Sequence, residues 1–121
     1  MSEQIEATAL LDAVAAFLKS IEPELSGRNA FHAKVAGNAL AIVRREIEAR
    51  PRDVERDALA RCLGHDAGLD ALRAEMCGRL RAGQLTPETP GVLAALIDAT
   101  LVKVAVDNPR YATYVRMQGP R

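Results

Sequence analysis

Apolar residues recur along this chain at spacings of three and four, and no stretch alternates apolar with polar over the length of a strand. The pattern predicts an all-α fold of about five helices joined by short connectors. The first spans about 8–21, with Thr8 as N-cap and Pro23 as stop, and Leu10, Val14, Phe17, Leu18 and Ile21 fall on one arc of it. The second, about 26–50, is the longest and ends at Pro51. Its apolar stripe, from Phe31 and Val35 through Leu40, Ile42 and Val43 to Ile47, covers nearly half its circumference and calls for neighbours on two sides. A third helix over about 53–63 stops at Gly64. The fourth, about 66–82, places Leu69, Leu72, Met76 and Leu80 on one face. The fifth opens at Thr89-Pro90, runs to Asp107 and is apolar on nearly every side, which predicts deep burial.

Short connectors favour antiparallel neighbours, so the expected architecture is a compact bundle with the long second and fifth helices at its core. A single domain covers 1–121, with a tail from about residue 112 free to be flexible. Two ridges of small side chains stand apart from the apolar stripes: Ala9, Ala13, Ala16 and Ser20 on the first helix, and Ala33, Gly37 and Ala41 on the second. They can pack on each other or form the seam of a homodimer. A mid-helix glycine costs about 1 kcal/mol against alanine, and close packing at Gly37 would account for it.

Composition narrows the function. The chain is 49% hydrophobic and 26% charged, enough to build a core. Its 16 basic and 16 acidic residues cancel, which argues against a nucleic-acid partner. No apolar run is long enough to span a bilayer, and Glu3 and Glu6 stand where a signal peptide would be basic. These features place the protein in the cytoplasm with Cys62 and Cys77 reduced, both as small core residues. No glycine-rich phosphate loop is present, which excludes a kinase or P-loop active site within this chain. No serine or cysteine sits in a nucleophile context, and neither His32 nor His65 has a second ligand at metal spacing. No catalytic residue, metal or cofactor is therefore assigned.

The chemically informative residues are polar ones on apolar arcs. His32 sits mid-stripe on the second helix, and Lys103 and Asp107, four apart, lie on the inward side of the fifth. Such charges must be paired, solvated in a cleft or neutralised. If the second and fifth helices are antiparallel neighbours, Arg28 and His32 meet Lys103, Asp107, Arg110 and Tyr111. That cluster suits a small carboxylate or phosphate. The plainer alternative is that these groups satisfy one another and lock the C-terminal segment in place, with Asp107 accepting from Arg110, Tyr111 or their backbone.

Two runs, Arg28 to Ala36 continuing through Asn38-Ala39-Leu40 to Glu46, and Lys103 to Tyr111, resemble a family of small bacterial all-helical domains of unknown function. The likeness rests on Phe31-His32, Asn38 to Leu40, Lys103, Asp107 and Pro109-Arg110-Tyr111. Members are encoded beside, or fused to, aminoglycoside-phosphotransferase-like kinases, often near acyl-CoA dehydrogenases. The resemblance implies an accessory or regulatory role alongside such a kinase, in acyl-CoA metabolism. Taken with the small-residue ridges, the expected function is a non-catalytic accessory or interaction domain that acts with that kinase as a homo-oligomer. The alternative is an anionic-ligand binding protein or enzyme built around His32, Lys103 and Asp107.

Overall fold

The computed structural model describes residues 2–119, which are mostly helical with no strand among them. The helices are α1 (Ser2–Ile21), α2 (Gly27–Ala49), α3 (Pro51–Leu63), α4 (Leu69–Arg81), α5 (Val92–Asp107) and the short α6 (Ala112–Met117), with a 3₁₀ turn at Glu22–Glu24. Chain contacts divide them into two compact units, residues 1–49 and 50–121.

The N-terminal unit is a hairpin of α1 and α2. Helix α1 begins six residues before the expected Thr8 N-cap, because Gln4, Glu6 and Ala7 are good helix formers and acidic groups favour a helix start. Ion pairs fix the register: Glu22 lies 3.9 Å from Lys34, and the Arg44 guanidinium donates to both carboxylate oxygens of Asp12 at 2.7 and 3.2 Å. As residue numbers rise on α1 they fall on α2, so the helices are antiparallel. The contact stripe is Leu11, Ala15 and Leu18 against Ala33, Gly37 and Ala41, each half-buried except the buried Ala33.

This corrects three expectations. The small ridge of α2 does face α1, but Ala9, Ala13, Ala16 and Ser20 are exposed and do not meet it. Leu10, Val14 and Phe17 are also exposed, as are Phe31, Val35, Ile42 and Val43 on α2, which buries only Ala33. Gly37 owes nothing to tight packing, since a Cβ there would meet no atom within 4 Å.

The C-terminal unit holds the core. Helix α3 packs on α4 and, more extensively, on α5, while α6 rests on α5. Pro51 both ends α2 and opens α3, where its missing N–H costs nothing. Arg50 before it takes a left-handed conformation (φ 49°), and its Nε lies 2.9 Å from Asp53 in the first turn of α3. Gly64 caps α3 at φ 86°, donating its N–H to the Ala60 carbonyl, as the sequence predicts.

Leu59, Leu69, Leu72 and Met76 form the central cluster, and Val92, Ala95, Ala99 and Val106 bury the α3-facing side of α5. Helix α5 thus reaches the core as expected. It is not buried all round, however: Leu93 is 52% and Ile97 36% exposed, because α3 and α6 cover only part of its circumference. Cys62 packs at the edge of the core, whereas Cys77 faces solvent; both thiols are free. The C-terminal segment, expected to be ordered as far as the two tyrosines, folds as α6 over Ala112–Met117.

Candidate functional site

The most organised polar site lies inside the C-terminal unit and centres on Glu55. On α3, Glu55, Ala58, Leu59 and Cys62 occupy positions i, i+3, i+4 and i+7, so the carboxylate sits on the stripe that faces the core. The residue is 5% exposed. Arg73 of α4 donates to it through Nε at 2.8 Å and Nη2 at 2.6 Å, a two-pronged contact. Lys103 of α5 approaches the same Oε1 at 3.1 Å. One carboxylate therefore joins three helices.

Arg73 first, then Lys103, hold the Glu55 carboxyl below its ordinary range, against the opposing effect of burial. The same contact raises the Arg73 guanidinium. A carboxylate stabilised as the anion by two cations is a poor proton acceptor near neutral pH. Its oxygens are occupied, so the arrangement aligns helices instead of moving protons. One turn further along α3, a cleft of about 260 Å³ opens against the start of α5, with Arg61, Cys62, Gly91 and Asp98 on its walls.

Lys103 is thus paired, but across the core with Glu55 and not along its own helix with Asp107. Asp107 is exposed at the end of α5. The Tyr111 N–H expected there donates to the Asn108 carbonyl at 3.0 Å instead. Arg110 and Tyr111 are exposed in the turn before α6. Arg28 and His32 lie one turn apart near the start of α2, both exposed, with the His32 ring edge-on to Phe31 at 5.8 Å. Of the six residues proposed from sequence, these two belong to the N-terminal unit and the other four to the C-terminal one.

Sequence reasoning missed Glu55 and Arg73. The signal was available, because a glutamate on the Ala58, Leu59 and Cys62 stripe raises the same question as a lysine on that of α5. A second unpredicted network links the α3–α4 connector to α4. His65 Nε2 lies 2.6 Å from Glu75 Oε1, and Arg79 is 2.7 Å from the other Glu75 oxygen. Glu75 raises the His65 imidazole above its ordinary value. A further cleft of about 500 Å³ runs between α1 and α2, with Ala15, Ala33 and Gly37 beneath and Lys19, Lys34 and Glu22 at its rim. Among the described residues, no three His, Cys, Asp or Glu side chains are placed to share a metal ion. No described helix is long and apolar enough to cross a membrane.

The architecture defines a small all-α domain. Residues 23–111, most of the chain, match the DUF6285 domain, a domain of unknown function, and the chain belongs to that family. The match spans both signature runs. No curated protein and no solved structure matches the chain.

Proposed function

We propose that this chain is a non-catalytic accessory domain that binds another protein, a phosphotransferase-like kinase, and that it does so as a homo-oligomer. The observation that carries the reading is surplus apolar surface on a unit whose core is already closed. Beside the packed Leu59, Leu72 and Val106, helices α5 and α6 leave a groove of about 220 Å³ lined by Leu96, Ile97, Thr100, Leu101 and Met117. Met117 is 50% exposed, and Leu93, one turn before Ile97 on α5, extends this apolar surface at 52% exposure. An uncovered groove of this kind suits an apolar side chain from a partner, with the surrounding polar groups as a rim.

Support for a kinase as the partner comes from the two signature runs and the family they resemble. The same resemblance favours a role in acyl-CoA metabolism. The alternative, an anionic-ligand protein or enzyme using Arg28, His32, Lys103, Asp107, Arg110 and Tyr111, has less support because the Lys103 ammonium is engaged by Glu55.

Co-expression with a phosphotransferase-like kinase of the kind encoded beside members of the resembled family tests the reading. The kinase is expected to co-purify with the wild type and to be lost from Ile97→Asp and Met117→Asp. Retention by both variants, or no association at all, refutes it. Calorimetric heat with inorganic phosphate or acetate that Arg28→Ala abolishes would instead favour the alternative.

A further inference from the structure

Helix α6 differs from the rest of the C-terminal unit in how it is attached. It is six residues long, buries none of its side chains and has no side-chain cap at its start. Arg116 donates to the Thr113 hydroxyl within the helix itself. Among the described residues no ion pair or hydrogen bond joins an α6 side chain to α5. The attachment is apolar, with Met117 facing Leu96, Ile97 and Leu101 of α5 across the groove. The chain is also built to break between the two helices. Asn108 leaves the helical region at φ −153° and ψ 73°, and Pro109 has no N–H with which to continue α5. The Tyr111 N–H donates to the Asn108 carbonyl at 3.0 Å, so this turn is closed before α6 begins. The buried residues of α5, Val92, Ala95, Ala99 and Val106, lie on its α3-facing side and do not depend on α6.

We propose that α6 is a lid on the α5 groove: it leaves α5 and unfolds as one unit while α3, α4 and α5 stay folded, and an apolar group in the groove holds it shut. So short a helix is not stable in water by itself, so α6 loses its helical hydrogen bonds once it leaves α5. The groove of about 220 Å³ has α5 on one side and Met117 on the other. A guest therefore reaches all of its contacts only when the lid is closed. A ligand that binds one state better draws the equilibrium toward that state. The unbranched thioether of Met117 suits this role, because it adapts to guests of different shape. This inference rests on the partner-groove reading above and adds its regulation: the opening of α6 sets how readily the groove holds a partner's side chain.

Amide hydrogen exchange and methionine-methyl NMR of the full chain test it, with toluene as a stand-in for a phenylalanine side chain. The Val115 and Gln118 N–H groups donate to the Tyr111 and Tyr114 carbonyls, so their exchange reports the opening of α6. They should exchange at least about tenfold faster than the amides of α4. Toluene should shift the Met117 methyl resonance and leave that of the buried Met76 in place. It should also slow exchange at Val115 and Gln118 by a factor of one plus the ratio of free toluene to the dissociation constant read from the methyl shift. Val115→Pro, at an exposed side chain, removes the first of these hydrogen bonds. It should abolish the toluene response while exchange in α3, α4 and α5 stays unchanged. Val115 and Gln118 amides protected as strongly as those of α4, or unmoved by toluene, overturn the proposal. Toluene bound equally well by Val115→Pro overturns the lid while leaving the groove to the co-purification test above.

Discussion

Replacing Glu55 by glutamine removes the charge from the junction of α3, α4 and α5 while preserving its shape. The carboxylate takes two hydrogen bonds from Arg73, at 2.8 and 2.6 Å, and faces Lys103 at 3.1 Å. An amide keeps one accepting oxygen and turns an NH₂ group toward donors, so at least one of these contacts becomes repulsive. A hydrogen bond to a charged group contributes about 1.5–3 kcal/mol. The Arg73 and Lys103 side chains are 39% and 46% exposed, so water takes over part of their solvation, and the loss stays below that of a fully buried pair. The expected destabilisation is about 2–3 kcal/mol.

Urea unfolding followed by tyrosine fluorescence measures it, because both tyrosines, Tyr111 and Tyr114, lie in the C-terminal unit and the chain has no tryptophan. At a slope of about 1–3 kcal/mol per molar urea, the midpoint should fall by about 1–2 M. The folded-state pKa of Glu55 is depressed, so its contribution is fully present above the ordinary value of 4.5 and is lost as pH falls through the folded value. The gap between wild type and Glu55→Gln should therefore be constant near neutral pH and close under acid. A midpoint unchanged by the substitution at pH 7 would refute the reasoning.

Three further outcomes follow from the packing. The imidazole of His65 should titrate above the ordinary 6.5 in proton NMR and move back toward it in Glu75→Gln; the folded-state pKa is raised, so the contact's contribution is present below 6.5 and lost as pH rises through the folded value. Equal midpoints in the two proteins would show that the Glu75 contact has no effect. Gly37→Ala should raise the thermal stability of the hairpin by about 1 kcal/mol, since the added methyl meets nothing within 4 Å and alanine favours the helix; destabilisation would mean a neighbour fills that space. Leu72→Ala, at a side chain with 0% exposure, should cost about 2–5 kcal/mol in the tyrosine-monitored transition. A loss under about 1 kcal/mol would contradict a core centred on α4.

The C-terminal unit was largely legible in the sequence. Leu69, Leu72 and Met76 share a face whatever surrounds them, and Gly64 marks the end of α3 through its own backbone preference. The hairpin was harder to read. The stripe running from Phe31 to Val43 reads as the centre of a bundle, yet α2 buries only Ala33, on its other face. The partner of Lys103 was hidden for a different reason. Asp107 is four residues away on the same helix and visible to local spacing, whereas Glu55 lies on another helix and becomes a neighbour only through the α3–α5 packing. Thr8 misled in the usual direction for a cap, since favourable residues upstream extended α1 past it. Boundaries and long-range pairs depend on the fold; faces and stops depend on the local chain.

The central claim is that stability is concentrated in the C-terminal unit, which holds the buried cluster, and not in the hairpin, where Ala33 alone is buried among the described side chains. Backbone amide hydrogen exchange addresses both halves together. Protection in α3, α4 and α5 is predicted to exceed that in α1 and α2. Hairpin amides as strongly protected as those of α4 would contradict it.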